Sequence, residues 1–121
     1  MSKYNVDLML AVREQITSHP ETHRQVMWGR RTECGTTYCI AGWAAVLSGQ
    51  KLLWEGYAGA STETWWLDDG RGNVLTTIES YAREALGLSD EEAGDLFAFD
   101  LPEPKALQRL DALIEKGKNQ P

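Results

Sequence analysis

The chain has 121 residues, 42% hydrophobic and 25% charged, and 18 Asp and Glu against 12 Lys and Arg give it a formal charge of -6 near pH 7. That length fits one domain able to bury a core without a metal or disulfide staple, and the charge disfavours nucleic acid as a partner. No apolar run approaches the roughly 20 residues of a membrane helix, and the opening MSKYNVDLML has no secretory signal pattern, so a cytoplasmic location with reduced cysteines is expected.

In chain order, Leu8, Met9, Val12 and Ile16 fall on one helical stripe between Asn5, a capping residue, and Ser18. His19-Pro20 ends that helix, and ETHRQVMW then predicts a short helical turn or extended run up to Gly29. Residues 34 to 49, CGTTYCIAGWAAVLSG, read as a central core helix. Thr36 or Thr37 would cap it, Ile40, Trp43 and Leu47 form one apolar stripe, and Ala41, Ala45 and Ser48 form another. Enclosure of residues 38 to 47 on all sides is the expectation on which the fold reading depends.

Residues 50 to 73 hold glycines at 56, 59, 70 and 72 and predict a long loop, with TETWWL as a short strand and DDGRGN as a tight turn of at most one hairpin. Asn73 then caps an amphipathic helix with Val74, Ile78, Tyr81, Ala82 and Ala85 inward, closed by Gly87 and Leu88. SDEE is a capping box on Ser89 and Glu92, leading a short helix that buries Ala93, Leu96 and Phe97. After the connector DLPEP, Pro104 opens a last helix carrying Ala106, Leu107, Leu110, Leu113 and Ile114, closed by Gly117 and followed by a frayed tail at 118 to 121. The fold class read from this pattern is all-α. It is a single helical domain over residues 1 to 121, with about four main helices, shorter ones, and one long irregular loop or small hairpin.

Four side chains, His19, His23, Cys34 and Cys39, have the types and approximate spacing of a zinc site, although zinc sites usually place the cysteines first. Packing accounts for them as well: Cys39 falls within the apolar helix, where a free thiol acts as a small hydrophobe, and His19 ends the first helix. Cys34 lies near Arg30 and Arg31 at a helix start, as a reactive thiol would, but neighbouring Glu33 raises rather than lowers a thiol pKa, and no histidine is placed against it by any motif. The RRTECGTT segment lacks the glycine spacing and lysine of a phosphate loop. Asp68, Asp69 and Asn73 lack the alternating oxygens of a calcium loop and read as turn residues.

Trp54, Tyr57, Trp65 and Trp66 cluster in the irregular region. Such aromatics serve either as anchors for a partner or as lids folding a loop onto its own domain. The segments HPETHRQVMW and CGTTYCIAGWAAVLSG, with AREALGLSDEEAGDLF farther on, resemble a group of uncharacterised small proteins of bacteria and their phages, especially those of actinobacteria. His19, Pro20, Trp28, Cys34, Gly35, Thr36, Cys39, Ile40, Ala41, Gly42, Trp43 and Ala44 carry the likeness. It implies a helical fold, a bacterial or phage source and no assigned activity.

The function expected is a non-enzymatic protein-binding module with no cofactor and no metal. As a phage or mobile-element accessory protein it would engage a host protein through Trp54, Tyr57, Trp65 and Trp66. The alternative is a zinc-binding or thiol-dependent protein built on Cys34, Cys39 and His19.

Overall fold

A computed structural model describes residues 4 to 23, 29 to 32, 35 to 55, 62 to 98 and 100 to 119. These residues form five α-helices and five short strands, so the fold is mixed α/β, and the all-α expectation is corrected.

Helix α1, Val6–Ser18, starts where the Asn5 side chain accepts the Leu8 amide at 3.1 Å, and it buries Met9, Val12 and Ile16. A single 3-10 turn, Pro20–Thr22, follows the His19 cap. Strands β1, Gly29–Thr32, and β2, Gly35–Tyr38, then pair antiparallel with Gly29 opposite Tyr38. Helix α2, Ile40–Leu47, is therefore shorter than expected, because Thr36 and Thr37 belong to a strand. Its cap is Cys39, whose sulfur accepts the Gly42 amide at 3.5 Å. Ile40 to Ala45 are buried, whereas Leu47 is 39% exposed, so enclosure stops short of the last turn.

The stretch expected to be a loop is mostly sheet. Strands β3, Leu52–Glu55, and β4, Thr62–Asp68, pair antiparallel, and β4 also pairs with β1 and with β5, Val74–Thr77. A strand has two edges. Since β1 pairs with positions 62 to 64, β5 with 66 to 68 and β3 across 63 to 67, β1 and β5 must share one edge of β4 and β3 must hold the other. On the β3 side two β4 residues, Thr64 and Trp65, stand against Trp54 in a bulge. The buried Thr64 hydroxyl donates to the Leu53 carbonyl there, restoring a bond the broken ladder would lose.

The β4–β5 connection is built by its carboxylates. Asp68 Oδ1 accepts the Gly70 and Gly72 amides at 2.8 and 2.9 Å, and Asp69 Oδ1 accepts those of Arg71 and Asn73. Gly70 and Gly72 have φ of 94° and 83°, a region that L side chains rarely adopt. The helix expected from Asn73 begins instead at Ile78, because Val74–Thr77 pair with β4. Helix α3, Ile78–Leu86, is capped by Thr77 Oγ1 on the Ser80 amide at 3.1 Å and ended by Gly87 at φ 76°.

Helix α4, Asp90–Leu96, opens with the complete Ser89–Glu92 capping box, and α5, Glu103–Lys118, buries Ala106, Leu110, Ile114 and Gly117. Gly117 does not close α5. It sits inside the helix, where a Cβ would lie 2.6 Å from Val6 Cγ2, so the N-terminal segment crosses α5 at the one residue without a side chain to block it. Of the tail at 118 to 121, Lys118 is the last residue of α5, Asn119 is its cap, and residues 120 and 121 lie outside the described set. Residues of α1 to α5 join Leu52 and Leu67 of the sheet in one core.

Candidate functional site

Adjacent residues of a strand point to opposite faces. Leu67 is fully buried in the core it shares with the helices, and Leu52, also buried, stands opposite it. Trp66, next along β4, therefore lies on the outer face, with Leu53 across from it on β3 and Thr77 across from it on β5. All three are half-buried.

A second bulge extends this row. Thr76 pairs with Leu67 and Val74 with Asp68, so Val74 and Leu75 together oppose the single residue Asp68. Neither reaches the core: Val74 is 52% and Leu75 53% exposed, the highest values among the large apolar side chains described. Leu53, Trp66, Val74 and Leu75 thus spread apolar surface over β3, β4 and β5, beside the rigid Asp68–Asn73 turn. The Gly72 and Gly70 amides, reinforced by Lys51, hold the Asp68 carboxyl below its ordinary range.

Of the aromatics expected to meet a partner, Trp66 lies within this patch. Trp54 and Trp65 belong to β3 and β4, but their side chains, like Tyr57 as a whole, lie outside the described residues. Val74 and Leu75 were missed as surface residues because their spacing to Ile78 and Tyr81 fits a helix; the adjoining Asp-Gly-Arg-Gly-Asn turn was the available signal for a strand.

The proposed metal and thiol residues divide differently. Cys39 is 1% exposed, and burial pushes its thiol from 9.0 up to about 12 against the opposing Gly42 and Ala41 amides, so it is protonated and enclosed rather than nucleophilic. His19 is an exposed cap 3.6 Å from Glu21 Oε1, and His23 is buried beside β2, where it bridges to Tyr38. Cys34 lies outside the described residues. Among those described, no three His, Cys, Asp or Glu side chains gather into a group able to hold a metal.

Trp43 completes the α2 end of the sheet. Its Nε1 donates to the Thr22 carbonyl at 3.2 Å while its ring meets Tyr38 edge-on, centroids 4.7 Å apart, which docks the 3-10 turn on α2 and β2. No described helix is long and apolar enough to cross a membrane. Family models, curated proteins and solved structures give no match to this chain.

Proposed function

We propose that the chain is a non-enzymatic protein-binding module that meets its partner through the outer face of its sheet, at Leu53, Trp66, Val74 and Leu75. The observation that carries the reading is the pair Val74 and Leu75, each more than half exposed and held side by side by a bulge. Neighbouring apolar side chains on a rigid strand remove water from a partner at little entropic cost, and a half-buried tryptophan beside them is the residue type that anchors such contacts. In the cell the partner would be a cytoplasmic protein of a bacterial host, the setting implied by the likeness of the His-Pro and Cys-Gly-Thr segments to phage and bacterial proteins.

Affinity capture from host lysate with the wild type, Leu75→Ser and Trp66→Ala tests this. Loss of the same captured protein in both variants, with melting of Leu75→Ser unchanged, is expected. Undiminished capture by Leu75→Ser overturns the reading.

A further inference from the structure

We draw no further inference here: the strongest candidate, the groove of about 360 Å³ between α1 and α5 lined by Leu10 and Ile114, has its charges paired with one another as Arg13–Asp111 and Glu115–Lys118, and nothing in the structure shows what covers it.

Discussion

The Tyr4 hydroxyl donates to Glu92 Oε2, joining residues 88 apart in the chain. The same carboxylate accepts the Ser89 amide at 3.0 Å and Lys116 Nζ, so the N-terminal segment, α4 and α5 converge on one side chain. Lys116 also stands 5.6 Å from the centre of the Tyr4 ring, and it interacts with both partners.

Acid should loosen this junction. Burial alone would raise the Glu92 pKa, but the Ser89 amide, Tyr4 hydroxyl and Lys116 outweigh it and lower the carboxyl from 4.5 to about 2. The group is thus held ionised more strongly in the folded than in the unfolded chain. Its stabilisation is complete above about pH 4.5 and is lost as pH falls toward 2. With the side chain only 16% exposed, this amounts to about 3 kcal/mol at most, of which about 2 kcal/mol disappears by about pH 3. Denaturant melts of the wild type and Glu92→Gln at about pH 7 and about pH 3 check it. The variant should lose less stability on acidification, and equal losses contradict the assignment.

Two glycines should respond to alanine with opposite signs. Gly94 is exposed in α4 with open space around it, so Gly94→Ala gains about 0.5–1 kcal/mol from helix preference. At Gly117 the same gain is opposed by a Cβ 2.6 Å from Val6 Cγ2 and 3.2 Å from Tyr4 Cβ, where overpacking costs about 1–3 kcal/mol. Thermal melts should therefore rise for Gly94→Ala and fall for Gly117→Ala.

Alkylation should find Cys39 inert. A thiol at about 12 is ionised to roughly one part in ten thousand at pH 8, and the sulfur is enclosed. Mass spectrometry of the Cys39 peptide after iodoacetamide treatment should show modification only in denaturant. Rapid labelling of the native chain would restore the thiol reading.

Removing the indole donor should release the 3-10 turn. Trp43→Phe keeps an aromatic ring against Tyr38 but deprives the Thr22 carbonyl of its partner, at a cost of about 1 kcal/mol. Faster hydrogen exchange at the Thr22 and His23 amides, both bonded within that turn, is the expected signature.

What the sequence by itself determined about this protein is the set of features closed by local hydrogen bonds. The Asn5 cap, the Ser89–Glu92 box, the Gly87 stop, the Asp-Gly turn and the apolar stripes of α1, α4 and α5 all rest on partners a few residues apart, so reading the residues suffices. The strands needed the tertiary structure. GRRT, GTTY, LLWE and VLTT are four residues each, too short to show a period of their own, and GRRT and LLWE find β4 only across intervening segments of the chain. Val74 shows the conflict directly: its spacing to Ile78 fits a helix, yet pairing with Asp68 draws it into β5 and leaves it in solvent. Gly117 does the same for α5, since a glycine that locally reads as a stop is retained inside the helix by the close passage of Val6. The candidate binding face was visible in one residue, Trp66. Its extension to Leu53, Val74 and Leu75 exists only because three strands and a bulge bring them together, a non-local arrangement that no single stretch of residues specifies.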